Sequence, residues 1–468
     1  MTFGIETVYW ITEWAIRLAM IVIVPFRRSP QASRSWLLLV LLLPLPGLVL
    51  FTAIGRASFP TWRAARFHRV QLLFTETVAR LINFSISTEN TLSLPEAILA
   101  KALGGLPAVG GNCVNLLNDY DAMVERLITD IDGAKKHVRL LVYIFADDET
   151  GRAVIEALAR AVARGVACHV LLDPVGSRHW LRGTLDRLRS AGVEVRLSLP
   201  FHVFRSRTRS DMRNHRKLFI IDGTIGYGGS QNLVSKNLRP NIVNEEMVLR
   251  IVGPAVAEMT LVFLTDWFLE TETMLENNII MPPTCGAETV QIFPSGASYA
   301  LQGFETFLVW VIHKACHRVI ITTPYLIPDE VLINAMRTAV LRGVVVELIV
   351  SSVVDHRFVR LAQRSYYEEL LAAGVQIFRY GQQFLHAKNV SVDGILAIVG
   401  SSNIDIRSFQ LNEEVNIILT NPETVGKIVS VQLLSLMRSD KINLDDWARR
   451  PRHEAFLENI ARLISPLL

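Results

Sequence analysis

The sequence has little cysteine and little charge. Its four cysteines, Cys113, Cys168, Cys285 and Cys316, lack the C-x-x-C spacing of a zinc site and suggest no disulfide framework. We therefore predict isolated buried thiols and no metal centre. Only 20% of the residues are charged while 50% are hydrophobic. This composition is more apolar than that of most soluble enzymes, and it indicates a membrane segment.

The apolar excess lies near the N-terminus of the 468-residue chain. The run from Trp36 to Ile54 carries no charge and is long enough to cross a hydrocarbon core of about 30 Å, with a kink at its two internal prolines. The run from Phe3 to Pro25 is predicted as a first span rather than an interfacial helix. It contains Glu13 and Arg17, which are one helical turn apart and therefore placed to pair.

Arginines follow both predicted spans. With two crossings these groups lie on opposite sides of the membrane, so the positive-inside rule is nearly tied. The segment from Phe59 to Asn83 mixes arginines with apolar residues at helical spacing, which fits a surface-bound helix and a solvated connector equally. The arginines are Arg27, Arg28 and Arg34 after the first run, and Arg56, Arg63, Arg66 and Arg69 after the second.

Beyond about Asn112, short β-branched runs alternate with amphipathic helical patterns, which is typical of an α/β domain. The chain also repeats itself: "LARAVARGVACHVLL" (158–172) matches "MRTAVLRGVVVELIV" (336–350). Two homologous lobes explain this repeat. We predict four parts, namely a membrane anchor over 1–58, a basic amphipathic connector over 59–111, and lobes over 112–287 and 288–468.

Each repeat carries the pattern His-x-Lys-x4-Asp followed by Gly-Ser-x-Asn. One such motif arises by chance in roughly a few in a hundred chains of this length, but two copies with the same extension do not. The first copy consists of His215, Lys217, Asp222, Ser230 and Asn232, and the second of His386, Lys388, Asp393, Ser401 and Asn403. We take these as the candidate site.

The spacing suits phosphate chemistry. Residues two apart on a strand share a face, so each repeat offers an imidazole beside an ammonium. Two lobes brought together would surround one tetrahedral anion with two cations and neutral donors, with no metal. The predicted phosphate-binding donors are Ser230, Asn232, Ser401 and Asn403.

These residues resemble the duplicated HKD motif of the phospholipase D superfamily. Further segments are similar to bacterial cardiolipin synthases over nearly the whole chain, including "YIFADDETGR", "YLIPDE", "RSYYEELLAAGV" and "GSSNIDIRSFQLNEE". The resemblance implies two α/β lobes, each a mixed sheet flanked by helices, packed about a pseudo-twofold and preceded by two transmembrane helices.

The resemblance also implies phosphatidyl transfer through a phosphohistidine, with no cofactor. His215 attacks the phosphorus of one phosphatidylglycerol while His386 protonates the departing glycerol. His386 then deprotonates a second phosphatidylglycerol, which attacks to give cardiolipin. The reverse assignment of the two histidines is left open. The implied partners are two phosphatidylglycerol molecules and anionic membrane lipids, with no nucleic acid, and the oligomeric state is left open.

Supporting roles follow from the same resemblance. The family places an acid roughly thirty residues after each histidine, and the matching positions are Glu246 and Glu414. These carboxylates would orient the imidazoles. Asp222 and Asp393, each before a glycine, are expected to cap the turn that sets the Gly-Ser-x-Asn segment. The implied location is the bacterial inner membrane, multi-pass. Two spans leave both chain ends on one side, and the face that carries the lobes is left open, with the cytoplasmic face favoured.

Three other functional classes are alternatives to this reaction. The same scaffold supports a hydrolytic phospholipase D or transfer to another alcohol such as serine. A superfamily nuclease would need a basic, aromatic-lined groove, and the membrane segments and the net charge of +4 argue against it. A catalytically inactive membrane scaffold is disfavoured because both motifs are complete.

Overall fold

The computed structural model describes residues 4–28, 30–55, 61–84, 95–200, 211–237, 242–276, 279–299, 302–354, 357–381 and 383–465. The chain opens with helices α1 (Ile5–Arg27), α2 (Pro30–Leu42) and α3 (Pro44–Ile54). Within the described residues, α1 is the one helix long and apolar enough to cross a membrane. The predicted ion pair on it is confirmed, with Arg17 Nη2 3.1 Å from Glu13 Oε2.

The apolar run from Trp36 to Ile54 is two helices. The first ends at Leu42 and Leu43 leaves helical geometry, because Pro44 lacks an N–H and disfavours helical geometry in the residue before it. With 13 and 11 residues, α2 and α3 are about 20 and 16 Å long. Both are shorter than a hydrocarbon core of about 30 Å. The predicted second span, one helix kinked at its prolines, is therefore not confirmed, because the run forms two short helices instead.

The second helix of this pair folds back against the first. The rings of Trp36 and Phe51 lie 5.2 Å apart, edge to face, whereas one continuous helix would separate them by about 22 Å. Gly47 permits the close approach, since a Cβ on it would lie 2.9 Å from the Cα of Val40. We call α2 and α3 together the N-terminal hairpin.

The connector contains α4 (Thr61–Phe84) and α5 (Pro95–Gly104). Helix α4 carries its arginines against the folded protein. Arg63 is fully buried, with Nη1 2.5 Å from Glu270 Oε1, and both Arg66 and Arg69 pair with Glu272. These arginines are therefore paired with carboxylates of the same chain, which disfavours the membrane-surface alternative for this helix.

The rest of the chain alternates strands and helices, as the sequence predicted. The first series is β1 (Val109–Leu117), α6 (Tyr120–Asp132), β2 (His137–Val142), α7 (Glu149–Ala163), β3 (Ala167–Leu172), α8 (Leu181–Ser190), β4 (Glu194–Leu197), β5 (Leu218–Ile221), β6 (Ile225–Gly229), β7 (Asn244–Glu245), β8 (Val248–Val252) and α9 (Ala255–Thr271). The second series is β9 (Glu288–Ser295), α10 (Gly303–Lys314), β10 (Arg318–Thr323), β11 (Leu326–Ile327), α11 (Glu330–Leu341), β12 (Val345–Ser351), α12 (Arg357–Ser365), α13 (Tyr367–Ala372), β13 (Gln376–Tyr380), β14 (Phe384–Leu385), β15 (Asn389–Val392), β16 (Leu396–Gly400), β17 (Ile404–Asp405), α14 (Ile406–Gln410), β18 (Glu414–Leu419), α15 (Pro422–Met437), β19 (Ser439–Lys441), α16 (Leu444–Ala448) and α17 (Arg452–Ile464).

One mixed sheet of 15 strands runs through both series, in the order β19-β13-β12-β10-β15-β16-β18-β9-β1-β8-β6-β5-β2-β3-β4. Strands β2, β3 and β4 are parallel, as are β10, β12 and β13. The strands between these groups pair antiparallel, with β1 beside β9 at the centre. Apart from the edge strand β19, equivalent strands follow one another outward from this junction in both series. The fold is therefore mixed α/β around one large sheet.

Two short pairings link the repeats beside their motifs. Strand β14, which ends just before His386, runs parallel to β7, which ends just before Glu246. An isolated bridge joins Asn214, just before the other histidine, to Glu413, just before the other glutamate. Because paired residues lie side by side, each histidine is brought next to the acid of the other repeat.

Cys113 and Cys285 form a disulfide, which corrects the prediction that all four thiols are isolated. Cys113 lies on β1 and Cys285 just before β9, and the pairing of these strands brings together residues 172 positions apart. Local spacing in the sequence gives no sign of such a pair. Of the remaining thiols, Cys168 is buried, as predicted, and Cys316 is exposed.

Candidate active site

The two motif histidines line one cavity of about 490 Å³. Each is 9% exposed, so each ring shows only an edge to the cavity. Asn232 and Asn403 of the motifs also line it. The wall includes aromatic and basic side chains that the motif did not predict, among them Tyr143, Arg178, Arg213, Tyr325, Phe384 and Arg407.

Each imidazole is bonded to a buried glutamate of the other repeat. His215 Nδ1 lies 3.1 Å from both carboxylate oxygens of Glu414, and His386 Nδ1 lies 2.6 Å from Glu246 Oε1. An ionised carboxylate only accepts, so Nδ1 carries the proton and Nε2 keeps its lone pair. Both rings are thereby held with the same nitrogen available for chemistry.

Ser230 and Ser401, predicted to bind phosphate, contact the glutamates. The Oγ of Ser230 donates to Glu246 Oε2 at 2.5 Å, and the Oγ of Ser401 donates to Glu414 Oε2 at 2.5 Å. Both serines are fully buried, and neither is among the described residues that line the cavity. A hydroxyl has one proton to donate, and here a carboxylate accepts it. In this structure each serine therefore binds a glutamate, and its hydroxyl proton is not directed at the cavity where a substrate would bind.

Each motif lysine is hydrogen-bonded to the backbone of the histidine two positions before it. The Nζ of Lys217 donates to the carbonyl of His215 at 2.6 Å, and that of Lys388 donates to the carbonyl of His386 at 2.5 Å. Both lysines are buried. Burial disfavours the charged form and lowers the pKa of Lys217 to about 7.

Burial also sets the state of the histidines. It lowers the pKa of His215 to about 4, although Glu414 acts in the opposite direction. The pKa of His386 is lowered for the same reason, again opposed by its glutamate. The pKa of Glu414 is lowered because His215 and Lys217 outweigh the effect of burial. Near neutral pH the ligand-free site therefore holds neutral imidazoles beside an ionised Glu414.

Aromatic rings support both imidazoles. The Tyr143 ring lies edge-on to His215, with ring centroids 4.8 Å apart, and the Phe384 ring stacks on His386 at 5.5 Å. The motif alone did not identify these residues as part of the site. A signal existed for Phe384, since it precedes His386 by two positions and residues two apart share a face of a strand.

Asp222 and Asp393 tie the motif hairpins to the sheet. Both have φ of +53°, and each precedes the glycine of a tight turn, as predicted. Their carboxylates also bind three consecutive backbone N–H groups at the start of a neighbouring strand, which the sequence did not reveal. For Asp222 the donors are Lys135, Lys136 and His137, and for Asp393 they are Cys316, His317 and Arg318.

Arg216, the unspecified residue of the first motif, was also missed. It is fully buried, with Nη1 2.5 Å from Asp266 Oδ1 and Nη2 2.9 Å from Glu413 Oε2. Its Nε donates to the carbonyl of Glu414 at 2.9 Å, so it fixes the segment that holds His215. The second motif has Ala387 at this position. Among the described residues, no group of three or more His, Cys, Asp or Glu is arranged to hold a metal ion.

The chain is similar to known proteins over nearly its whole length. The family described as "Cardiolipin synthase, PLD-like domain" matches residues 127–267 and 308–431. Cardiolipin synthase A of Proteus mirabilis (strain HI4320) is 30% identical, covering 98% of this chain and 97% of the relative. Cardiolipin synthase A of Serratia proteamaculans (strain 568) is 31% identical, covering 100% and 98%.

A solved structure shares the fold. Phosphatidylserine synthase from Haemophilus influenzae Rd KW20 superposes with a TM-score of 0.62 at 14% identity, covering 80% of this chain and 100% of that chain. Fold and site together define a phosphatidyltransferase of the phospholipase D superfamily. Within that class, the chain belongs to the cardiolipin synthase family.

Proposed function

We propose that the chain transfers the phosphatidyl group of one phosphatidylglycerol to the terminal hydroxyl of another, giving cardiolipin and glycerol. The observation that carries this proposal is the pair of imidazoles at one cavity, each bonded at Nδ1 to a buried glutamate. Two equivalent nitrogens can share the work of nucleophile and proton carrier in a two-step displacement.

In the first step, the Nε2 of His215 attacks the phosphorus and the bond from phosphorus to the glycerol oxygen breaks. The Nε2 of protonated His386 gives its proton to that oxygen, so glycerol leaves neutral. In the second step, His386 takes the proton of the acceptor hydroxyl, whose oxygen attacks phosphorus as the bond to His215 breaks. Both histidines return to their starting states, and no cofactor is consumed.

The substrate itself would set the required protonation. The lowered pKa of His215 leaves it neutral, as a nucleophile must be. The pKa of His386 is lowered as well in the ligand-free site, yet an acid must carry a proton. A phosphodiester anion entering the cavity favours the charged imidazolium. We therefore assign protonation of His386 to the substrate-bound state.

The remaining motif residues support these steps. Lys217 and Lys388 place positive charge under the phosphate, and Asn232 and Asn403 donate from the cavity wall. The histidine-orienting role belongs to Glu246 and Glu414, each held by its serine. Two lobes over 112–287 and 288–468, related by a pseudo-twofold, would supply these residues in matching sets.

The chain is related to bacterial enzymes named for the synthesis of a phospholipid, and it carries one apolar helix suited to a bilayer, so we place it at the bacterial inner membrane. A multi-pass arrangement needs a second crossing, and the N-terminal hairpin is too short on each arm to make one. We therefore propose a single crossing by α1, with the hairpin entering and leaving on one side.

With a single crossing, the two groups of arginines no longer lie on opposite sides of the membrane, so the positive-inside rule predicts one orientation. Arg27 is the last residue of α1, and Arg28 and Arg34 follow the helix. After the hairpin returns, Arg63, Arg66 and Arg69 of α4 lie on that same side. The positive-inside rule then places the catalytic part on the cytoplasmic face.

Product analysis tests the reaction. Purified enzyme in vesicles of phosphatidylglycerol alone should give cardiolipin and glycerol, with phosphatidic acid as a minor product and no added metal or nucleotide. Water at about 55 M competes for the phosphohistidine, so transfer requires an acceptor held at high effective concentration. Phosphatidic acid as the main product would identify a hydrolase instead.

Trapping tests the assignment of the histidines. His215→Ala and His386→Ala should each abolish turnover, whereas His317→Ala, an exposed histidine outside the cavity, should leave it unchanged. Rapid quenching of His386→Ala with substrate should yield a phosphatidyl adduct on His215, located by mass spectrometry. If instead only the His215→Ala variant yields an adduct, and the adduct is on His386, then His386 is the nucleophile and His215 the acid.

A further inference from the structure

Helix α17 exposes its apolar residues. Phe456 is 64% exposed, Leu457 45%, Ile460 40% and Leu463 51%. At about 100° per residue these positions fall on one face. We call these four residues the α17 stripe.

The opposite face of the helix is polar and faces the protein. Glu458 is fully buried, with Oε1 2.6 Å from Arg364 Nε and Oε2 2.9 Å from Arg450 Nε. Glu454 also pairs with Arg364. Soluble helices show the reverse arrangement, with apolar residues inward and charges outward. Ion pairs therefore dock α17, and its apolar residues remain on the surface.

The helix ends at the cavity. Ser465, directly after α17, lines the cavity together with Val359 of α12, the helix against which α17 packs. The phenolic oxygen of Tyr366 lies 3.4 Å from Ser465 Oγ, so the end of the helix is fixed to the protein. A lipid surface covering the α17 stripe would thus lie beside the cavity that holds both histidines.

We propose that the α17 stripe inserts into the membrane interface and sets the cavity against the bilayer, so that phospholipids reach the histidines without leaving it. This proposal rests on the proposed function, because it assumes that the substrates are bilayer lipids. Charge favours an anionic surface as the occupant: Arg452, the first residue of the helix, is exposed beside the stripe and would contact lipid phosphates.

Substrate form provides the first test. The double variant Phe456→Ser, Ile460→Ser in the full chain should lower transfer on phosphatidylglycerol vesicles at least about tenfold. It should change transfer on monomeric short-chain phosphatidylglycerol less than about twofold, which also shows that it folds. The matched control is Leu341→Ser at the end of α11, 80% exposed, which should leave both rates unchanged. Equal losses on both substrates, or an equal loss in the control, would overturn the proposal.

A direct contact measurement does not depend on activity. In a Cys316→Ser background, a fluorophore on Leu463→Cys in phosphatidylglycerol proteoliposomes should be quenched by lipids carrying a shallow doxyl group. The same label on Leu341→Cys should be quenched at least about threefold less. If Leu463 is not quenched, or if the stripe variant changes the oligomeric state instead, the stripe contacts protein and the proposal fails. If vesicles yield no cardiolipin while Leu463 is quenched, the proposed reaction fails and the membrane contact stands.

Discussion

At the scale of single residues, each motif histidine is bonded to a carboxylate contributed by the other repeat. Glu246 follows His215 in sequence but bonds His386, and Glu414 follows His386 but bonds His215. Buried and held by a serine, each glutamate fixes the tautomer of its partner. It also favours the imidazolium that forms during proton transfer.

Replacing these carboxylates by amides tests that dependence. Glu246→Gln and Glu414→Gln should each lower kcat by about 10²- to 10⁴-fold, because a neutral amide no longer stabilises the charged ring. Vesicle assays under saturating phosphatidylglycerol measure the effect. The exposed Glu423→Gln serves as the matched control. A loss below about threefold in both buried variants would show that the glutamates do not support the histidines.

The pH dependence of kcat/KM reports the free enzyme. Protonation of His215 removes the nucleophile, so the rate should fall as pH drops through the lowered pKa of about 4. Deprotonation of the acid His386 lowers the rate as pH rises through its own lowered pKa. Deprotonation of Lys217 also removes a cation, so the fall should become steeper as pH rises through about 7, whereas an ordinary lysine would hold its charge to about pH 10. Lys217→Arg should remove this steeper part, since a guanidinium stays charged, and an unchanged profile near pH 7 would assign the steepening to another group.

At the scale of elements, the hairpin of α2 and α3 decides how the chain meets the membrane. New cysteines at Arg34→Cys, near the start of α2, and at Ala65→Cys, in α4 beyond the hairpin, are introduced into a background in which Cys113, Cys285 and Cys316 are replaced by serine. A membrane-impermeant thiol reagent should label both from the same side, because both arms return to that side, while Thr7→Cys at the start of α1 should be labelled from the other. Labelling of positions 34 and 65 from opposite faces would restore a full second span.

At the scale of the whole molecule, the side of the membrane on which the catalytic part lies should decide whether the disulfide forms in cells. A cytoplasmic location keeps thiols reduced. We therefore expect Cys113 and Cys285 to be alkylated as free thiols when cells are acid-quenched before lysis, and to form their bond in purified, oxidised protein. Mass spectrometry of the two peptides distinguishes the states. A linked pair in growing cells would place the catalytic part outside the cytoplasm, against the orientation proposed above.

Local pattern determined much of this protein. Strand alternation and the exact repetition of one motif predicted a shared site, and the motif histidines and asparagines do line one cavity. The alternating runs predicted a mixed α/β fold. The turns at Asp222 and Asp393 were also predicted, because aspartate tolerates the left-handed conformation and the glycine after it favours a turn. These features depend on residues close together in sequence, so sequence alone suffices for them.

The tertiary structure decided the features that depend on contacts between residues far apart in sequence. The exchange of glutamates between repeats follows from the β7–β14 pairing and the bridge from Asn214 to Glu413, whose partners lie far apart in sequence. The strand pairing of β1 with β9 likewise created the Cys113–Cys285 bond. The apolar run at Trp36 carried the composition of a span, but whether a proline break only kinks a helix or reverses it depends on what packs there, here Trp36 against Phe51. Composition measures how apolar a segment is, whereas only contacts between distant residues fix its direction.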